Sequence, residues 1–295
     1  MTDREPVAPP RAPRSPNDPT GVDDGRGAVP IGARRPALRA TTWIALVVVA
    51  ITIAALGWRT MERKAIERAY ADGVNALAEG RVDDARIAFD RVIALRPGWA
   101  AAYRQRGHAT RDPARAIGDY SRAIELDGGD ADAIAARGRA WRLAGQPAKS
   151  VEDLSVAIAI AERGGAGAAA LTAWRADRGL ARLETGAIAS ALDDLQHVAQ
   201  ARGTPEDHHR LALALSSAGD WHGARSAYDR AVASGEQPLW LGERALVLMR
   251  IGEDGAAGVD LVRCAELDSA CADLHGTRAG RLARELGRAP PSGAR

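Results

Sequence analysis

Six segments of this 295-residue chain repeat one three-residue pattern at helical spacing. A small residue is followed four positions later by a bulky one, and three after that by another small or β-branched one. The matches are Ala85/Phe89/Val92, Ala116/Tyr120/Ala123, Ser150/Leu154/Ala157, Ala191/Leu195/Val198, Ala224/Tyr228/Ala231 and Ala257/Leu261/Cys264. Offsets of four and three put all members of a triplet on one face of a helix. Successive triplets stand 31, 34, 41, 33 and 33 residues apart. Five residues before the triplet stands a glycine in five of the six units: Gly80, Gly145, Gly186, Gly219 and Gly252. A left-handed residue there ends one helix and turns the chain into the next. A further glycine, seven residues earlier, is Gly73, Gly138 or Gly179, with Gly107 in the shortened second unit; it lets two helices approach closely. From about Met61 to Leu286 the periodicity is helical, the run Val156–Ile160 included, so the chain reads as all-α. One helical pair cannot bury its apolar face alone, so the units must stack.

The stretches Gly107-His108-Ala109 … Ala116-Ile117-Gly118-Asp119-Tyr120-Ser121-Arg122-Ala123-Ile124-Glu125-Leu126-Asp127 and Gly73 … Ala85 … Phe89 … Pro97 resemble the tetratricopeptide repeat. The resemblance covers about 205 of the 295 residues, from Ile66 to about Ala270. It implies a right-handed α-solenoid of about six helix–turn–helix units over 66–270, closed by a capping helix over 271–287. The pattern departs in places. The first-helix glycine becomes Ala212 and Ala245, and the closing proline survives only as Pro97. Unit two is shortened around Thr110–Pro113, and Gly165–Leu171 is inserted between units three and four.

Ahead of the repeats, Ala40 to Trp58 carries no charge. As a helix these residues span roughly 28 Å, close to the hydrocarbon thickness of a bilayer. Trp43 and Trp58 mark the two ends, where an indole suits the headgroup level. Residues 41–58 are therefore expected to form a single transmembrane helix, followed by a short helical stalk over 59–65. Residues 1–40 hold eight of the fifteen prolines and little apolar periodicity, and are expected to be disordered, as is the tail 288–295. A cleaved export signal is the other reading of the apolar run. Ala55-Leu56-Gly57 loosely fits a cleavage site, and Ala33–Arg39 faintly resembles a twin-arginine signal.

Composition adds source and compartment. Lys64 and Lys149 are the only lysines, a skew toward arginine that, with the Ala and Gly load, points to a GC-rich bacterial genome. A net charge of +2 gives no push toward nucleic acid, and none is expected as a partner. Cations flank the apolar run evenly, with Arg26, Arg34, Arg35 and Arg39 before it and Arg59, Arg63, Lys64 and Arg68 after it. Translocating a forty-residue arginine-bearing tail without a preceding signal is unusual, so the amino terminus is expected inside and the repeats outside the cytoplasmic membrane. The opposite topology keeps them cytoplasmic.

Nothing in the sequence assembles a catalytic or cofactor site, and neither an enzyme nor a cofactor is expected. Gly165–Ala170 has glycines but no strand before it, and reads as an inter-repeat insertion. His208, His209 and His222 lack further ligands and read as surface or groove residues. Asp83–Asp84 and Asp193–Asp194 read as solvated helix faces. Cys264 and Cys271 have two readings. Cys264 fills a small core position, so a buried thiol is sufficient; Cys271 starts the next helix, so a disulfide could tie the cap to the last repeat.

In tetratricopeptide-repeat proteins the first helix of each unit lines the concave groove. That resemblance places Tyr70, Arg104, His108, Arg139 and Arg142 in the groove, with a basic patch in units two and three. Guanidinium forks suit carboxylates, so an acidic segment or chain terminus is the expected ligand. The Lys and Asn of the chaperone-binding carboxylate clamp are absent: Tyr70 and Val74 stand there. The expected function is a membrane-anchored scaffold binding protein or peptide partners. The alternative is a regulatory or sensory accessory subunit of a cell-envelope complex.

Overall fold

The computed structural model describes residues 35–164 and 167–291, and among them there is no β-strand. The chain divides into two units between Thr60 and Met61. Helix α1 (Arg35–Ala78) begins six residues before the apolar run. This corrects the expectation for 35–40, which are helical; residues 1–34 lie outside the described residues. Pro36 falls in the first turn, where its missing N–H leaves no bond unmade. No proline follows before Pro97, so 41–58 and 59–65 are not separate elements but parts of α1.

In the first unit the apolar side chains have no core to enter. Trp43 is 69% and Trp58 74% exposed, and Ile44 to Leu56 are similarly open. The Thr52 hydroxyl donates to the Val49 carbonyl at 2.8 Å, which satisfies it within the helix. An 18-residue window with mean hydropathy 2.0 makes this helix long and apolar enough to cross a membrane.

The second unit is a succession of helical pairs. The end of α1 pairs with α2 (Val82–Leu95). After it come α3 (Ala100–His108) with α4 (Pro113–Leu126) and α5 (Ala131–Leu143) with α6 (Pro147–Gly164). Then follow α7 (Ala168–Glu184) with α8 (Ile188–Ala201), α9 (Pro205–Ala218) with α10 (Trp221–Ala233), and α11 (Pro238–Arg250) with α12 (Asp254–Leu267). All eighteen triplet residues are buried, none more than 5% exposed. The five turn glycines all have positive φ, between 73° and 87°, which a side chain resists. The earlier glycines are where the paired helices touch: a Cβ on Gly138 would fall 2.9 Å from Leu154 Cγ. Of the inserted segment, residues 165 and 166 lie outside the described residues, and Gly167 caps α7.

Partly buried ion pairs recur with the same register. Arg106, Arg137, Arg178 and Arg244 each precede the close-contact position of a first helix by one residue. Each forks onto an aspartate of its own second helix: Asp119, Asp153, Asp194 and Asp260. Each also reaches back to the preceding unit, at Asp90, Ser121, Ser155 and Asp229 respectively. The reading of Asp193–Asp194 as a solvated face fails for Asp194. That residue is 5% exposed and also accepts from Arg182 at 2.6 Å.

After α12 the chain forms α13 (Ser269–Cys271), a π-helical turn (Ala272–Gly276) and α14 (Thr277–Glu285). α14 buries Ala279, Leu282 and Ala283 against Leu248, Met249 and Leu261.

Candidate functional site

The first helices α3 and α5 carry the basic patch, but its cations are already engaged by acids from the next unit. Arg104 Nη1 donates to Asp130 at 2.6 and 2.8 Å. Arg142 donates to Glu184 at 2.9 Å. Arg139 lies 3.8 Å from Asp177. Burial raises the Asp177 carboxyl, and Arg139, Arg142, Arg210 and Arg202 pull it partly back. His108 Nδ1 shares a 2.9 Å hydrogen bond with the Tyr120 hydroxyl. Burial, with Arg139 and Arg104 nearby, lowers the His108 pKa, and burial pushes the Tyr120 phenol up to about 12. Tyr70 packs edge-on to Phe89 and stacks on Trp99, with centroids 5.7 and 4.6 Å apart. Arg104, Arg139 and Arg142 of the expected patch thus each face an acid of the following unit, and Tyr70 stacks on Trp99 of the next one. The partners of Arg104, Arg139 and Arg142 lie 26 to 42 positions away, so no local pattern displays them.

An open cavity lies at the other end of the array. It measures about 470 Å³, between α9, α11 and α14, with Trp221 of α10 and Tyr228 in its wall. Leu213, Leu246, Val247 and Leu282 make its apolar lining. Glu243 is held within it: His209 Nε2 lies 2.6 Å from Glu243 Oε2, and the Tyr228 hydroxyl donates to the same oxygen at 3.4 Å. Burial, then Glu243, raises the Tyr228 phenol far above its ordinary range. His209 also stacks on Trp240, with ring centroids 5.2 Å apart. Ser216 Oγ is buried beside the Tyr228 phenol. Arg250, Arg278 and Arg281 complete the wall, with Glu285. Arg278 and Arg281 escape a sequence reading because the cap lies outside the repeat register, and Glu243 because its partner His209 stands 34 positions away on another helix.

Cys264 and Cys271, at the end of α12 and in α13, form a disulfide with Cα atoms 5.8 Å apart, and both are buried beside Trp240 and Leu241. His275 follows in the π-helical turn, fully buried against Gly242, with neither ring nitrogen partnered. Among the described residues no group of three or more His, Cys, Asp or Glu could hold a metal ion. His222 is exposed and His208 half-buried. Trp43 and Trp58, the expected membrane-interface residues, are both exposed along α1.

No family model matches the sequence, and no curated protein matches it. Solved structures do. PilW, titled a widely conserved type IV pilus biogenesis factor, is 15% identical with a TM-score of 0.61, over 68% of this chain and 92% of its own. A tetratricopeptide repeat protein from Parabacteroides merdae is 12% identical with a TM-score of 0.59, over 76% and 88%. YrrB, titled a TPR protein with an unusual peptide-binding site, is 16% identical with a TM-score of 0.52, over 68% and 97%. The second unit of this chain is an α-solenoid of helical pairs. Its fold is that of tetratricopeptide-repeat proteins.

Proposed function

We propose that this chain is a single-pass adaptor of the bacterial cytoplasmic membrane, holding a protein or peptide partner on the first-helix face of its repeats. Residues 41–58 sit in the bilayer, the amino terminus is inside and the repeats are outside. One observation carries the reading: the array spends its charges on internal joints yet keeps an open, largely apolar cavity on that face. Such a surface holds a partner and offers no group poised for turnover. The apolar half of α1, exposed throughout, supports the anchor. The Cys264–Cys271 bridge supports an oxidising compartment. The likeness to PilW, a type IV pilus biogenesis factor, and to YrrB, a TPR protein with an unusual peptide-binding site, supports the partner class.

The test is a photo-crosslinking residue at position 246 in the full chain, irradiated in intact cells. Discrete crosslinked proteins are expected, and a chain that captures none contradicts the adaptor reading. Protease added to spheroplasts should remove a carboxy-terminal tag; survival of the tag until lysis would reverse the topology. Amino-terminal sequencing of the mature chain separates an anchor from an exported protein, which would begin beyond Ala55.

A further inference from the structure

We infer that the cavity between α9, α11 and α14 is the specific docking site of the array, and that it takes an acidic peptide segment with an aliphatic side chain beside its carboxylates. The inference rests on the adaptor reading and names the site and ligand class within it.

Charge state singles the cavity out. Arginines line the other cavities of the array, but each is committed. Arg104 is held by Asp130, Arg81 by Glu79 and Asp84, Arg263 by Glu236 and Glu266. Arg139, Arg202 and Arg210 face Asp177 and Asp207. Of the arginines lining these five cavities, Arg278 and Arg281, three residues apart on α14, have no ion pair with an acid among the described residues, whereas Arg250 beside them lies 3.7 Å from Glu285. Three residues apart on a helix, both guanidinium groups project from one face.

The acids in the same wall do not answer them. Glu243 is occupied by His209 and Tyr228, and Glu285 lies 3.7 Å from Arg250. Arg250 is further fixed over the Trp221 ring, 5.4 Å from its centroid. Two guanidinium forks are thus left to accept carboxylates from outside, the geometry in which arginine binds best.

The floor supplies the second half of the ligand's description. Leu213, Leu246, Val247 and Leu282 form an apolar surface able to accept a branched aliphatic side chain. The mouth therefore selects for negative charge and the interior for an aliphatic group.

The test uses the full chain in detergent micelles. Its probes are an acetylated and amidated hexapeptide of alternating glutamate and leucine, and the same peptide with glutamine for glutamate. Binding is read by anisotropy of a fluorophore on the peptide. The glutamate peptide is expected to bind about tenfold or more tightly than the glutamine one. The double variant Arg278→Gln/Arg281→Gln should erase that preference without moving the melting temperature, while Arg91→Gln, away from the cavity, should keep it. Failure of the glutamate peptide to saturate by about 1 mM, a weak ceiling for specific binding, overturns the inference. So does equal binding of the two peptides, or a preference that survives the double variant. Vesicles of anionic lipid that bind wild type and not the double variant, with no peptide preference, would overturn it in favour of a headgroup site. If position 246 still captures partners while the peptides are not discriminated, the docking assignment falls and the adaptor reading stands.

Discussion

The joint between the fourth and fifth repeats differs from the other four. Between units one and two, two and three, three and four, and five and six, an arginine of the later first helix reaches back across the joint. Arg106, Arg137, Arg178 and Arg244 each contact the preceding unit while forking onto their own aspartate. At the exception, Leu211 and Ala227 occupy the positions of arginine and aspartate. No side-chain hydrogen bond or ion pair among the described residues joins the chain up to Ala201 to the chain from Arg202 onward. The linker clasps itself instead. Arg202 forks onto the fully buried Asp207, and Thr204 closes a capping box on the same residue. Packing and a local cap suffice at one joint; the interior straps at the others add directional pairing to the same packing.

Breaking a strap should cost most. Asp194→Ala strands Arg178 and Arg182 where they are mostly buried and should destabilise the array by about 3–5 kcal/mol, measured by urea denaturation. A loss below about 1 kcal/mol would mean that the straps are solvated in practice.

The clasp should cost less. Asp207→Ala removes the carboxylate that accepts from Thr204 in the capping box and a partner of Arg202, a loss of about 1–2 kcal/mol. Burial pushes the Asp207 carboxyl up, but the bonds from Arg202 and Thr204 outweigh it and leave its pKa lowered. Its stabilisation is therefore full above the unfolded pKa of about 3.9 and fades as pH falls through the lower folded value. The gap between wild type and Asp207→Ala should close over that acidic range; a gap constant down to pH 2, well below the unfolded value of about 3.9, contradicts the assignment.

The cap offers a third kind of joint. Burial first, then Arg278, lowers the His275 pKa, with Glu243 opposing. A group so depressed favours folding above its unfolded pKa of about 6.5 and loses that contribution as pH falls. Protection factors over α14, exchange rates corrected for their intrinsic pH dependence, should therefore fall below about pH 6.5 while those in α5 and α6 do not. A uniform fall would show the cap to be no weaker to acid than the strapped units.

The smallest effect belongs to the transplant. Leu211→Arg with Ala227→Asp writes the missing strap into unit five, where Gln196 can receive the backward reach. Desolvation and pairing nearly cancel for such a pair, so stability should change by no more than about 1 kcal/mol. Exchange at α8 and α9 should slow all the same. A larger loss would mean that the local packing excludes the pair.

These joints also explain what the sequence displayed. The triplets and turn glycines were legible because burial and positive φ restrict residue type strongly, and the restriction recurs with a fixed period. The straps were not, since Arg and Asp are common on exposed helix faces and the paired residues lie 13 or 16 positions apart on different helices. Asp194 looked like its exposed-looking neighbour Asp193 for that reason. The arginines of the expected groove patch stand in the sequence, but their acidic partners come from the following unit and no local pattern marks them. The cavity beside α14 was hidden because it depends on a segment outside the repeat, entered through a disulfide and a π-helical turn.

The straps also bear on how such an array changes its length. Removing or inserting a unit at any strapped boundary separates a guanidinium from one of its acceptors, and the newcomer must carry a replacement in register. A boundary just before Arg202 separates no such pair, because the clasp travels whole with the later repeats. That seam is where duplication, loss or recombination of repeats leaves the least repair for selection to make.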